Sequence, residues 1–212
     1  MKYKYVFLLG RPGCGKSAVY RELETRLISS GEASSFERVD DFPKLWAKFK
    51  KDDALTSTGK KRIYSKQTDD GGYLVTNPAV WNDILKELNK DVLGKQKSGH
   101  IVFIEFSRSL YVEALSNFDE NIIGKSLVIY IDVSFDICWD RNVKRHEAAV
   151  AEGSDDHLVS REEMEKTYLN DDRDAFVAYL KESNTPVYVI NNEKDGDSYL
   201  RSQVDNLIEK IF

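Results

Sequence analysis

One short motif near the N-terminus constrains the fold of this chain more than any other feature: Gly10-Arg11-Pro12-Gly13-Cys14-Gly15-Lys16-Ser17. It matches the pattern G-x-x-x-x-G-K-[ST] at every fixed position. The segment before it, residues 4–9, is an apolar run typical of a buried strand, and Val19, Leu23 and Leu27 recur after it at helical spacing. A strand, a glycine-rich turn and a helix in this order predict a phosphate-binding loop at the carboxyl end of a parallel strand.

The chemistry of phosphate binding explains the fixed residues of this motif. Glycine lets the backbone turn so that several N–H groups point at one phosphate, which side chains would obstruct. A helix that begins at Gly15 or Lys16 adds the positive end of its dipole. We therefore predict that Lys16 contacts the β- and γ-phosphates of a nucleoside triphosphate and that the Ser17 hydroxyl binds Mg²⁺. ATP and Mg²⁺ are the expected cofactors, and the predicted nucleotide-binding residues of this segment are Gly10, Gly13, Cys14, Gly15, Lys16, Ser17 and Ala18.

The rest of the chain alternates between strand and helix patterns without a linker or an internal repeat. Apolar runs at 101–105 and 127–132 indicate buried parallel strands, with weaker strands at 36–40 and 186–190. Helical patterns fill 108–118, 134–150 and 160–182, and another ends the chain. This alternation predicts one α/β domain, residues 1–212, with a five-stranded parallel sheet between two helix layers, the three-layer P-loop NTPase fold. Residues 62–64 and 73–75 predict a small β-hairpin inside an insertion at about 52–78.

The composition argues against several classes of protein. A net charge of −5 and a pI near 5.4 make nucleic acid an unlikely partner, because binding to its phosphates needs a basic face. Apolar runs are too short for a membrane span or a signal peptide, so we expect no membrane association. Cys14 and Cys138 form no disulfide framework, which favours the reducing cytoplasm. Nothing in the pattern indicates an oligomeric state.

Acidic residues end two of the predicted buried strands. Glu105 ends the strand expected beside the one that leads into the glycine-rich loop, and it has the position of a carboxylate that supports Mg²⁺. Asp132 ends another such strand, and we interpret it as a cap of the following helix. Our prediction for the metal site is therefore Ser17 with Glu105.

The chain resembles the nucleoside monophosphate kinase-like superfamily, which includes nucleoside, shikimate and gluconate kinases and zeta-toxin-like enzymes. The P-loop between strand and helix and an arginine-bearing helix late in the chain carry this resemblance. It implies transfer of the γ-phosphoryl group of ATP to a hydroxyl or phosphate of a small molecule, with a helical lid at about 141–160. It also implies that an aspartate after the second strand binds the acceptor and takes its proton, Asp40 ahead of Asp41. The alternative for Asp40 is a helix cap.

The same resemblance assigns roles to four further residues. Residues 132–141 are similar to the passage from strand to lid, and Arg141 and Arg145 share one helix face from which they would stabilise the transferred phosphoryl group; a solvated helix is the alternative. Asn191 has the position of an adenine contact, although it and Asn192 are equally typical of a turn. Residues 105–109 resemble the Glu-Arg-Ser stretch of deoxynucleoside kinases with two residues inserted before the arginine, which makes Arg108 a candidate for substrate binding.

Two other functions compete with a kinase. Residues 69–72 match the D-x-x-G of GTPases, but they lie in a polar turn and no N-K-x-D motif follows, so a switch or motor-type NTPase is the weaker interpretation. A nucleotide-binding regulator without transfer activity is the third. The basic residues around 60–66 predict either a solvated surface or a site for an anionic substrate.

Overall fold

The computed structural model describes residues 3–152, 158–194 and 196–211. Within them, five strands form an all-parallel sheet in the order β2-β5-β1-β6-β7, and two short strands pair antiparallel in a hairpin. The strands are β1 (Tyr5–Leu9), β2 (Ser35–Asp40), β3 (Ser65–Gln67), β4 (Tyr73–Val75), β5 (His100–Phe106), β6 (Ser126–Asp132) and β7 (Val187–Asn191). The predicted five-stranded parallel sheet is confirmed.

Helices connect these strands in the alternation that the sequence predicts. They are α1 (Lys16–Ser29), α2 (Phe42–Ser57), α3 (Ala79–Lys95), α4 (Tyr111–Leu115), α5 (Glu120–Ile123), α6 (Phe135–Ala151), α7 (Arg161–Glu163), α8 (Arg173–Glu182) and α9 (Asp197–Ile211). A π-helical turn, Met164–Tyr168, continues α7.

The sheet has helices on both faces because its buried strands alternate their side chains between two cores. Val6 and Leu8 of β1 pack with α1 and α9, whereas Phe7 and Leu9 of the same strand pack with α3, α4 and α8. Successive side chains of a strand point to opposite faces, so a strand that is apolar throughout requires a cover on each side. The predicted three-layer arrangement is confirmed.

The hairpin forms a small third core outside the sheet. Leu45 and Phe49 of α2 pack there against Val75 of β4 and Ile84 of α3. The predicted hairpin is present, but its first strand begins at Ser65 rather than at 62, and α2 continues to Ser57, past the expected start of the insertion. Residues 69–72 form the turn between β3 and β4.

Two predicted helices are shorter than their patterns. Residues 108–118 are helical only in α4, and the pattern at 160–182 is interrupted between Tyr168 and Arg173. The interruption supplies two carboxylates to distant groups: Asp171 binds Arg11 at 3.0 Å, and Asp172 accepts hydrogen bonds from the first N–H groups of α4, Tyr111 and Val112. These long-range contacts replace the helical hydrogen bonds that the local pattern predicts.

Other features of the fold concern the lid and the cysteines. Residues 141–151 of the predicted lid lie in α6, residues 153–157 lie outside the described part of the chain, and Val159 forms an isolated bridge with Tyr73.

Cys14 and Cys138 are both free and buried. Along the described residues no helix combines the length and the apolar character needed to cross a membrane.

Candidate active site

The carboxyl ends of three neighbouring strands bring the predicted site residues together. The loop after β1 carries the glycine-rich motif, β2 ends at Asp40, and β5 carries Glu105 next to Leu8 on one side and Asp40 on the other. A cavity of 540 Å³ opens at this edge of the sheet. Of the predicted residues, Gly13, Gly15, Lys16, Ser17, Ala18, Asp40, Glu105, Arg141 and Arg145 line it, and so does Asp41.

Three glycines of the loop occupy positions that a side chain could not enter. Gly10, Gly13 and Gly15 have φ angles of 140°, 82° and 101°, in the left-handed region that other residues avoid. A Cβ atom would lie 2.6 Å from the carbonyl oxygen of Ile131 at Gly10, 2.3 Å from that of Cys138 at Gly13, and 2.5 Å from the side-chain nitrogen of Asn192 at Gly15. Helix α1 then begins at Lys16 without a side-chain cap, so its N-terminal N–H groups are available to an anion.

Lys16 is buried, and its ammonium group is held by oxygen atoms of the P-loop and of the residue that follows β5. It donates hydrogen bonds to the carbonyl oxygens of Gly10 and Arg11, both at 3.0 Å, and to Ser107 Oγ at 2.8 Å. Burial alone would lower the pKa of Lys16, but Cys14 and then the carboxylates of Glu105, Asp41 and Asp40 outweigh it and the pKa is raised. The side chain therefore stays charged, as phosphate binding requires.

Arg38 contacts the two predicted metal ligands, Ser17 and Glu105, and the predicted base, Asp40. Its Nη2 lies 3.0 Å from Ser17 Oγ, 2.6 Å from Glu105 Oε2 and 3.4 Å from Asp40 Oδ2. Glu105 Oε2 is buried, and within the described residues Arg38 is its ion-pair partner. Burial raises the pKa of Glu105, and Asp40 raises it further against the opposing charges of Lys16 and Arg38.

These oxygens fit Mg²⁺. The Ser17 hydroxyl and the Glu105 carboxylate, with Asp40 beside them, are hard oxygen donors of the kind that Mg²⁺ prefers together with nucleotide phosphates and water. The position of the Arg38 guanidinium among them marks a place where positive charge is stabilised. Asp132, the alternative, is ion-paired with Arg173 at 2.6 Å and does not line the cavity. The N-cap of α6 is Ser134, so the interpretation of Asp132 as the cap of that helix is wrong.

The two adjacent aspartates have different environments. Asp40 accepts a hydrogen bond from the backbone N–H of Phe42 at 3.0 Å and faces Arg38, which gives it a local structural role as well as a place at the metal side. Asp41 is buried and ion-paired with Arg108. Burial raises the pKa of Asp41 to about 6; Arg108 opposes that rise and Asp40 adds to it.

Arg108 lies behind Asp41 rather than on the cavity wall. It is buried, donates to the carbonyl oxygen of Ser107 at 2.6 Å and stacks 4.6 Å from the centre of the Trp81 ring. The cavity-lining residues include Asp41 and Trp81 but not Arg108. In this arrangement Arg108 positions the Asp41 carboxylate.

The two arginines of α6 also line the cavity. Arg141 donates to the backbone oxygens of Asn192 and Lys194, at 2.9 and 3.4 Å, whereas Arg145 contacts Asn142 Oδ1 at 3.3 Å. A guanidinium is suited to bind phosphate oxygens, so both arginines stay candidates for that role.

The loop after β7 contacts the P-loop through Asn192. Its side chain is buried and donates to the carbonyl oxygen of Cys14 at 2.9 Å, and it helps to line a second cavity of 210 Å³ together with Ala18 and Arg141. Asn191, the predicted adenine contact, is exposed, and its Oδ1 accepts from the N–H of Glu193 at 3.3 Å.

Sequence reasoning missed several residues of the site. Arg38 stands two residues before Asp40 on the same strand, and this spacing could have placed both on one face. Tyr111, whose hydroxyl accepts from the N–H of Gly10 at 3.1 Å, and Glu163 and Tyr168 on the cavity wall had no local signal. Their roles depend on contacts with segments far away in the chain.

Comparisons with known proteins agree with this architecture. No protein-family model and no curated protein sequence matches the chain. Among solved structures it is similar to APE1195, with a TM-score of 0.52 and 17% identity over 100% of this chain and 98% of that one. It is also similar to the APS kinase of Mycobacterium tuberculosis, solved in complex with AMPPNP and APS, with a TM-score of 0.50 and 15% identity over 98% and 96% of the two chains. The chain shares its fold with these structures, a three-layer α/β/α arrangement with a P-loop after its first strand. At this level of identity the likeness establishes the fold, and the chemistry must be argued from the residues of the cavity.

Proposed function

We propose that this protein is a phosphotransferase that uses ATP with Mg²⁺ to phosphorylate a hydroxyl group of a small molecule. The observation that carries the proposal is the convergence of Lys16, Glu105, Asp41 and the two α6 arginines on one cavity that extends beyond the P-loop. Residues of α2, β4 and α3 form the far wall, so the cavity has room for a second substrate. A hydrolase needs only water there, which makes this wall an argument for transfer.

The residues divide the work of phosphoryl transfer. The P-loop amides and Lys16 would hold the β- and γ-phosphates, and Arg141 and Arg145 would balance the charge that spreads over the transferred group. Mg²⁺, held by Ser17 and Glu105, would neutralise phosphate charge when bound. Asn192 and the second cavity beside the P-loop are the proposed site of the nucleoside moiety, in place of Asn191. The structure solved with AMPPNP supports ATP as the donor to test first.

Asp41 is our proposed general base, ahead of Asp40. The acceptor oxygen attacks the γ-phosphorus, the bond between that phosphorus and the β–γ bridging oxygen breaks, ADP leaves, and the hydroxyl proton passes to the carboxylate. A base with a pKa near 6 accepts a proton efficiently at neutral pH. Asp40 has both oxygens engaged by Phe42 N–H and Arg38, which supports a role at the metal side.

Analysis of labelled products tests the proposal. The protein is incubated with Mg²⁺, ATP labelled at the γ-phosphate and a mixture of hydroxyl compounds. A labelled small molecule is expected; labelled inorganic phosphate alone would indicate an NTPase, and unchanged ATP a regulator. Lys16→Ala should abolish turnover and weaken ATP binding far more than adenosine binding, because the proposed contacts of Lys16 with the nucleotide are all to its phosphates. Lys86→Ala, an exposed lysine of α3, is the control and should behave as the wild type.

A further inference from the structure

The wall of the cavity opposite the P-loop has a composition of its own. It is formed by side chains from α2, β4, α3 and the π-helical turn, most of them aromatic: Phe42, Leu45, Phe49, Tyr73, Val75, Trp81 and Tyr168. Phe49 and Tyr73 stack with their ring centres 4.7 Å apart. We call this set the acceptor wall. If the proposed function holds, it is the surface that selects the second substrate, and the inference below rests on that function.

Positive charge is confined to the nucleotide side of the cavity. The basic side chains among the described lining residues belong to α1, β2 and α6, and none comes from the elements of the acceptor wall. Arg62 lies near Tyr73 but is ion-paired with Asp53 at 2.8 Å, and Lys66 of the hairpin is paired with Glu162 at 2.9 Å. These pairs engage two of the four basic residues of that stretch, and none of the four lines the cavity as the described residues form it. Among the described lining residues, the acceptor wall offers no cation to a carboxylate or phosphate on the acceptor.

Negative charge, by contrast, faces the acceptor wall from Glu163. This side chain is 4% exposed and lines the cavity. Its oxygens accept hydrogen bonds from the N–H of Val75 at 2.7 Å and from Thr167 Oγ1 at 2.5 Å, but it forms no ion pair with any residue in the described ranges. Lys166 is close enough to influence it, yet donates its own hydrogen bond to the carbonyl oxygen of Val75. A buried carboxylate without a counter-ion is costly.

Tyr168 provides a second polar group in the same place. It is 5% exposed, lines the cavity, and its hydroxyl makes no hydrogen bond to the part of the chain that the structure describes. Glu163, Asp41 and Arg108 all act electrostatically on this phenol, so it is near both the Glu163 carboxylate and the proposed base. All three side chains, Glu163, Tyr168 and Asp41, line the same cavity.

We propose that the acceptor is a small hydroxyl compound that carries a protonated amine, with the amine held by Glu163 against the aromatic rings and the hydroxyl directed to Asp41 and Lys16. The ammonium supplies the counter-ion that Glu163 lacks, and aromatic faces stabilise a cation further. The transfer step is the one given above, with the hydroxyl proton passing to Asp41. Neutral analogues lose the ion pair, and acids meet Glu163 as a like charge.

Matched sets of acceptors test the charge requirement. Each set keeps one carbon skeleton and varies one group: 2-aminoethanol, ethylene glycol and glycolate; 4-(aminomethyl)benzyl alcohol, benzene-1,4-dimethanol and 4-(hydroxymethyl)benzoate. Phosphorylated products are quantified by mass spectrometry. The amine member of at least one set should exceed its neutral partner by roughly tenfold to a hundredfold in kcat/KM, the range for a charge-assisted hydrogen bond. Preference for a neutral or acidic member would overturn the inference and leave the kinase function intact.

Glu163→Gln distinguishes recognition from structure, because glutamine retains the size of the side chain and an oxygen for the N–H of Val75. It should lower kcat/KM for the amine member far more than for the neutral member, so that the advantage of the amine is lost. Glu162→Gln, which loses the same charge at an exposed neighbour, is the control and should keep the preference. An equal loss for all members of a set would make Glu163 a structural residue. If no member is phosphorylated, the proposed function fails and the inference with it.

Discussion

Lys16 and Arg38 both act electrostatically on the Glu105 carboxylate, and their partners differ. Lys16 is held by loop carbonyls and Ser107, whereas Arg38 contacts Ser17, Glu105 and Asp40 directly. The groups around Arg38 are those proposed for Mg²⁺. Under the proposed function, Mg²⁺ would compete with the Arg38 side chain for these oxygens.

Removing the Arg38 charge should strengthen the effect of Mg²⁺ on nucleotide binding. In Arg38→Met the metal no longer displaces a guanidinium from Ser17 and Glu105, so the ratio of ATP affinities with and without Mg²⁺ should rise about tenfold, the equivalent of one charge-assisted hydrogen bond. Isothermal titration calorimetry measures that ratio. Arg21→Met, which removes a cavity-lining arginine of α1, is the control and should leave it unchanged. A ratio equal to that of the wild type in both variants would contradict the competition.

The pKa of Asp41 predicts where kcat/KM declines on the acid side of its pH profile, the acid limb. A base must be deprotonated, so kcat/KM should fall as the pH drops through about 6, where burial places the pKa of Asp41. Because the charge of Asp40 contributes to that raised pKa, Asp40→Asn should move the limb to lower pH. Asp41→Asn should lower transfer by roughly 10²–10⁴-fold at neutral pH without a matching loss of ATP affinity. A limb that stays in place in Asp41→Asn would assign the base elsewhere.

At the scale of elements, α2 shows how one helix face serves two purposes. Leu45, Phe49 and Asp52 recur on its buried face, and the two apolar residues pack against the hairpin. Asp52 is fully buried and accepts from the backbone N–H groups of Ile63, Tyr64 and Ser65, at 2.7 to 2.8 Å. This carboxylate organises the loop that enters β3 and so supports the acceptor wall.

Asp52→Asn should destabilise the protein by about 1–3 kcal/mol at neutral pH, because an amide cannot accept on both atoms and leaves a buried N–H unsatisfied. Burial opposes but does not cancel these hydrogen bonds, and they lower the pKa of Asp52 below its usual value. Its stabilising contribution is therefore present above the pKa of the unfolded chain, near 4, and is lost as the pH falls below it. Urea denaturation measures the difference; Asp53→Asn, on the half-exposed neighbour, is the control and should cost less than about 1 kcal/mol. Equal losses of unfolding free energy in the two variants would contradict the proposed role of Asp52 in organising the loop before β3.

On the scale of the whole molecule, the sheet order decides which functions are compatible with the chain. β1 lies between β5 and β6, so the P-loop has Glu105 on one side and the start of α6 on the other. Residues 69–72, which match a GTPase motif in the sequence, lie instead at the tip of the hairpin, where Asp70 accepts from the N–H of Arg161 at 2.9 Å. A switch role at the γ-phosphate is not compatible with that position.

The local part of this protein follows from the sequence alone. The glycine-rich loop, the two continuous apolar strands and the helices between them were predictable because hydrogen bonding within an element and burial on both faces leave a pattern in neighbouring residues. Glu105 was predictable for the same reason, since it ends an apolar run. Tertiary structure alone decided that Arg38 contacts the proposed metal ligands, that Asn192 rather than Asn191 contacts the P-loop, and that Glu163 and Tyr168 line the cavity. These roles depend on which distant segments meet, and a side chain whose partner lies far away in the chain has no periodic signature of its own.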